Sequence, residues 1–111
     1  VKIKKIVEIL NHVNAKDINV FDYEGKSPFF DKIIIAIINE KQADAAVSYL
    51  KKQELVEIKN IEGSGKSGWI LVDAKDIIIH LFKKEEFEYY NFNERLYSLK
   101  RISNLYLESN N

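Results

Sequence analysis

The sequence predicts an α/β domain in which a mixed sheet of about five strands carries packed helices. Three observations support this. Apolar residues recur at helical spacing over residues 2–14 and again over 40–53; the stretch from Asp31 to Asn39 is nearly all isoleucine; and residues 69–83 hold two apolar runs separated only by Ala74 and Lys75.

The elements follow in chain order. Ile3, Ile6, Val7, Leu10 and Val13, with lysines and Glu8 between them, form the stripe of an amphipathic helix over 2–14. Ile18, Val20, Phe21 and Tyr23 then mark a short strand, which Gly25, Ser27 and Pro28 end. The isoleucine run at 31–39 suits a strand covered on both faces, and therefore one central in its sheet. A second amphipathic helix over 40–53 is striped by Ala43, Ala46, Val47 and Leu50, and a strand is expected from about Leu55 to Ile61. Gly63 to Gly68 reads as a loop into a hairpin of Trp69–Asp73 and Asp76–Lys83. Lys84 to Tyr90 suits a short helix, and Leu96, Leu99, Ile102, Leu105 and Tyr106 would line another, with the last residues frayed.

Composition restricts the function classes. A chain of 111 residues supports one ordinary domain, so residues 1–111 are read as a single unit. With 46% hydrophobic and 31% charged residues it has the balance of a folded globular protein. Seventeen basic and seventeen acidic residues cancel, so no global field draws it to nucleic acid or anionic lipid. The absence of Cys excludes disulfides, thiolate metal sites and Cys nucleophiles. No apolar run approaches the ~20 residues that span a bilayer, and the expectation is a cytoplasmic protein.

The hairpin is the most informative segment. With Asp73 set opposite Asp76, Leu71 faces Ile78 and Trp69 faces His80. Alternation then sorts Ile70, Val72, Ile77, Ile79 and Leu81 onto an aliphatic side that belongs in a core. The reverse side carries Trp69, Leu71, Asp73, Asp76, Ile78, His80 and Phe82, and this mixture of aromatic, imidazole and carboxylate suits an interaction surface.

Two catalytic readings compete with that surface. Gly65, Lys66 and Ser67 match the end of a phosphate-binding loop, but Asn60 stands where its first Gly belongs and a strand follows instead of a helix. Asp73 and Asp76 could serve a Mg²⁺-dependent nucleotidyltransferase-like enzyme, although paired metal-binding acids two apart on one strand point the same way and these are three apart across a turn. Capping of the turn is the simpler role for both. A strand His beside a Trp, with no partner His, reads as a packed, hydrogen-bonded residue before a ligand or base.

These blocks together resemble the ribosomal silencing factor family, also called Iojap-like proteins. DINVFDYEGKSPFFDKIIIAI is similar to the family's Asp-Ile strand, Gly-x-Ser turn and Asp-plus-hydrophobic strand. WILVDAKDIIIHLF and EEFEYYNFNERLY resemble its Trp-hydrophobic-Asp, His-hydrophobic-Phe and Tyr-x-x-Glu-x-Leu blocks. The shared pattern covers residues 17–99, with a preceding helix at 1–14 and an extension at 100–111. It departs at Lys75, where the family commonly carries Gly. The resemblance implies a fold related to nucleotidyltransferases but without their catalytic acids, and a factor with no cofactor, metal or catalytic residue. It further implies binding to the large ribosomal subunit through its fourteenth protein, obstruction of small-subunit joining, and repression of translation when nutrients are scarce. Against a basic ribosomal partner, Asp73, Asp76 and Glu85 are expected to steer and Trp69, His80, Phe82 and Tyr90 to anchor. The aromatic excess from residue 87 onward leaves a homodimer open.

Overall fold

A computed structural model describes the protein at residues 2–90 and 100–102, and the side chains of all these except 90, 100 and 101. Among these residues three helices, α1 (Lys2–His12), α2 (Glu40–Lys52) and α3 (Lys84–Tyr90), accompany six strands: β1 (Lys16–Asp22), β2 (Lys32–Ile37), β3 (Asn60–Ser64), β4 (Trp69–Ala74), β5 (Ile77–Phe82) and the two-residue β6 (Lys100–Arg101). The sheet order is β3-β4-β5-β2-β1-β6. Only β2 and β5 run parallel; the other neighbours are antiparallel. The isoleucine-rich β2 is thus central, as a strand without an exposed face must be.

The main core lies on one side of this sheet. Ile6, Val7 and Leu10 of α1 and Ala43, Ala46 and Leu50 of α2 pack onto Val20, Ile34, Ala36, Val72, Ile79 and Leu81. At the start of α2 a capping box closes the first turn: the Gln42 N–H donates to Asn39 Oδ1 (2.8 Å) and the Asn39 N–H to Gln42 Oε1 (2.9 Å). Between Lys16 and Asn19 the β1–β2 register shifts by one residue, and Asp17 there has φ 50°. This bulge preserves the inward direction of Ile18 and Val20.

Opposite α1 and α2, a smaller cluster of Ile33, Ile35 and Phe82 is overlain by Phe21, Tyr23, Phe30, Trp69 and Phe87. Phe87 meets Phe82 edge-on at 5.6 Å, so α3 leaves β5 for the side opposite α2.

Three sequence expectations change. The third strand starts at Asn60, not Leu55: residues 53–59 turn instead, with the Val56 N–H donating to Gln53 O, and Leu55 is left 56% exposed. Gly63 and Ser64 close that strand, while Gly65–Ser67 form a single 3-10 turn and no helix follows. The helix expected across Leu96–Tyr106 lies mostly outside the described residues, but Lys100–Arg101 pair with β1 as strand and Ile102 is buried, so extended backbone replaces helix there.

Candidate protein-docking face

The hairpin register corrects one expectation and retains another. Asp73 lies opposite Ile78, and Ala74 opposite Ile77, so Asp76 belongs to the turn and does not face Asp73. Trp69 is opposite Phe82 and Leu71 opposite His80. The actual pairing differs from the expected one by two residues, and a shift by an even number leaves the side chains of both strands on their assigned faces, with Asp76 excepted because it falls in the turn. The turn explains the shift: Lys75 adopts φ 72°, which permits a two-residue connection through Lys75 and Asp76.

Three aromatic rings form the centre of this face. The half-buried Trp69 stacks on Phe82 with centroids 5.0 Å apart, and its indole N–H donates to His80 Nδ1 at 3.1 Å. His80 itself lies over Phe82, 5.9 Å between centroids and 14° from parallel. Because Nδ1 accepts this bond, the neutral ring carries its proton on Nε2. Burial pushes the His80 pKa down to about 4, since the imidazolium would lose its hydration there. His80 is therefore neutral near pH 7, a packed residue whose Nδ1 orients Trp69.

Phe82 is fully buried, and His80 is 8% exposed. Both support the surface from below and present little of themselves to a partner, which corrects their expected place among the outward anchors. Leu71 and Ile78 take that place: they are half-buried on the same side of the ribbon, and neither core cluster includes them. Strand alternation puts both on this face, but an aliphatic side chain gives no sign in the sequence of whether it is covered.

The acids separate. Asp73 is half-buried at the end of β4, where its Oδ1 accepts the Lys75 N–H at 3.1 Å, the capping role anticipated for it. Asp76 turns away to α1, and Lys2 Nζ approaches its Oδ1 at 2.6 Å. That ammonium holds the Asp76 carboxyl below its usual range. Across the ribbon, Asn60 and Glu62 of β3 are paired with Asp73 and Leu71, so Glu62 adds a carboxylate to the same face that sequence reading overlooked. Glu85 is exposed in the first turn of α3, at the opposite end of β5 from Asp76. The side chain of Tyr90 lies outside the described residues. Among the described residues no group of three or more His, Asp or Glu side chains could hold a metal ion, and no helix is long and apolar enough to cross a membrane.

The glycine-rich stretch before this ribbon serves packing. A Cβ on Gly63, at φ 86°, would lie 2.1 Å from the Trp69 carbonyl oxygen. At Gly68, φ 85°, it would lie 2.5 Å from Glu86 Cγ. Close approach to the Trp69 backbone at Gly63 and the left-handed backbone at both positions account for these two glycines without a phosphate.

The family described as ribosomal silencing factor during starvation matches residues 1–110. This chain belongs to the ribosomal silencing factor family. It is 35% identical over 95 residues to ribosomal silencing factor RsfS of Bacillus subtilis, covering 82% of this chain and 80% of that protein. RsfS of Halalkalibacterium halodurans is 34% identical over 89 residues, with 77% and 76% covered. A solved structure from Bacillus halodurans superposes with a TM-score of 0.75 at 31% identity, covering 90% of this chain and 94% of that one. Another from Chromobacterium violaceum also gives 0.75, at 27% identity with 85% and 82% covered. The α/β fold, the family and its link to ribosome silencing thus agree with the sequence resemblance.

Proposed function

We propose that this family member represses translation without catalysis, by docking on the large ribosomal subunit and obstructing the small one. The fourteenth protein of the large subunit is the proposed receptor, and the face bearing Trp69, Leu71, Ile78 and Asp73 is the proposed contact. The observation that carries this reading is an apolar strip left half-exposed on a sheet whose other side is packed beneath α1 and α2. Partly exposed aromatic and aliphatic residues bordered by acids have the make-up of an interface centre with a polar rim. Asp73 and Glu62 supply charge complementary to a basic receptor, with Asp76 and Glu85 further from the centre. A body measuring 34 × 33 × 32 Å is bulky enough to act by occupancy once bound.

The test is co-sedimentation of purified protein with isolated large subunits, together with the yield of 70S particles when small subunits are added. Wild type is expected to bind and to lower that yield, and Trp69→Ala to weaken both by roughly thirtyfold, the effect of losing a residue worth ~2 kcal/mol. Folded wild type that ignores large subunits would refute the proposal. Nothing in the geometry favours the Mg²⁺-dependent alternative, because Asp73 and Asp76 point to different surroundings and Asp76 is already occupied by Lys2.

A further inference from the structure

The two parallel strands create a second feature, at the end of the molecule away from the hairpin turn. β2 continues into α2, which packs with the main core, whereas β5 continues into α3, which packs through Phe87 on the other side. Adjacent parallel strands whose connections leave in opposite directions open a crevice beyond their carboxyl ends, the place where α/β sheets receive ligands. Here the Ile38 N–H donates to Phe82 O at 2.8 Å, tying the two strand ends together, and a groove of about 550 Å³ lies beyond them. That volume falls within the ~300–1,000 Å³ of small-molecule sites.

The lining has a definite chemistry. Lys16 comes from β1, Lys83 from the junction between β5 and α3 and Lys84 from α3, and among the described residues none of the three is in an ion pair. These lysines, from two parts of the chain, stand against Glu40 and Glu85 in the same lining, which leaves the concavity with one net positive charge. The half-buried Ile37 contributes an apolar wall, backed by Ile38 of the core. The N–H groups of Asn39 and Gln42 at the start of α2 are consumed by the capping box, so the lysines are the charged groups that an anion would meet.

We propose that this groove binds a small organic phosphate, with its phosphate groups on Lys16, Lys83 and Lys84 and its organic part against Ile37. Glu40 and Glu85 also line the groove, and they favour a compact ligand over an RNA strand, whose continuous backbone charge would meet both carboxylates. The site lies at the end of β5 opposite Asp76 and does not depend on the ribosome-binding reading.

The experiment is a ¹⁵N NMR titration of the full chain with ATP, in parallel with inorganic pyrophosphate and a short RNA oligonucleotide. Saturable shifts confined to Lys16, the segment from Ile37 to Gln42 and Lys83 to Glu85 are expected with ATP. Lys16→Gln combined with Lys84→Gln, both at exposed positions, is expected to weaken ATP binding by about tenfold or more while leaving the thermal midpoint unchanged. Should the double variant not fold, Lys84→Gln alone carries the same test with a smaller loss. No saturable shift by about 3 mM ATP, or an unchanged affinity in the folded variant, would overturn the proposal. Pyrophosphate binding as tightly as ATP would overturn the assignment to an organic ligand, and RNA binding the same residues more tightly would overturn it in favour of a nucleic-acid contact.

Discussion

Lys75 occupies a backbone conformation, φ 72°, that costs a side-chain-bearing residue ~1–2 kcal/mol. Glycine avoids that strain but loses ~0.5–1 kcal/mol more in chain entropy. Lys75→Gly is therefore expected to stabilise the protein by up to about 1 kcal/mol, read as a higher urea midpoint with an unchanged slope. The ion pair it removes, Lys75 to Glu57 at 3.8 Å, is solvent-exposed on both sides and offsets little of this gain. At His80 the prediction concerns pH. The folded pKa of about 4 lies below the ordinary value of 6.5, so the unfolded chain binds a proton first as the solution is acidified. The stabilisation is complete above pH 6.5 and is lost as pH falls through 4, amounting to on the order of 2 kcal/mol by pH 5. Its direct strand neighbours, Leu71 and Ile35, are uncharged, which makes burial the cause. Urea unfolding at pH 7 and pH 5 checks this: His80→Gln is expected to lose less stability on acidification than wild type does.

Elements were legible in proportion to how much of their own pattern they bury. Both long helices and β2 emerge from sequence because their apolar stripes coincide with the core contacts of Ile6, Leu10, Ala46, Leu50 and Ile34. β3 was displaced because it is an edge strand with only Ile61 packed against the core; its position is set by pairing with β4, information its own residues scarcely contain. The symmetry of Asp73 and Asp76 in the sequence suggests a register two residues away from the real one, in which the turn closes at Ala74 and Ile77. The α2 capping box is an element-scale device with a measurable share. Asn39→Ala is expected to cost about 1 kcal/mol, seen as a lower thermal midpoint, because the Gln42 N–H loses its acceptor.

At the scale of the whole molecule, a net charge of zero separates this protein from ligands that work through long-range attraction. The proposed binding to the large subunit, through an apolar strip with a few rim acids, should depend only weakly on ionic strength. Between about 50 and 200 mM salt its affinity is expected to fall by less than about tenfold, against the ~10³–10⁵ typical of proteins that neutralise several phosphates. Co-sedimentation at the two salt concentrations measures the difference, and a steep loss would transfer the contact from ribosomal protein to rRNA.

The candidate site divides along the same line. Which residues share a face of the β4–β5 ribbon follows from the sequence itself, because side chains alternate along any strand and a register error of two leaves that sorting unchanged. Which of those residues a partner can reach depends on where the rest of the chain packs. α3 and Phe87 bury Phe82, Trp69 lies across His80, Lys2 draws Asp76 toward α1, and Leu71 and Ile78 remain half-exposed. Burial arises from contacts between segments distant in sequence, so only the tertiary structure could distinguish the residues that form this face from those that hold it up.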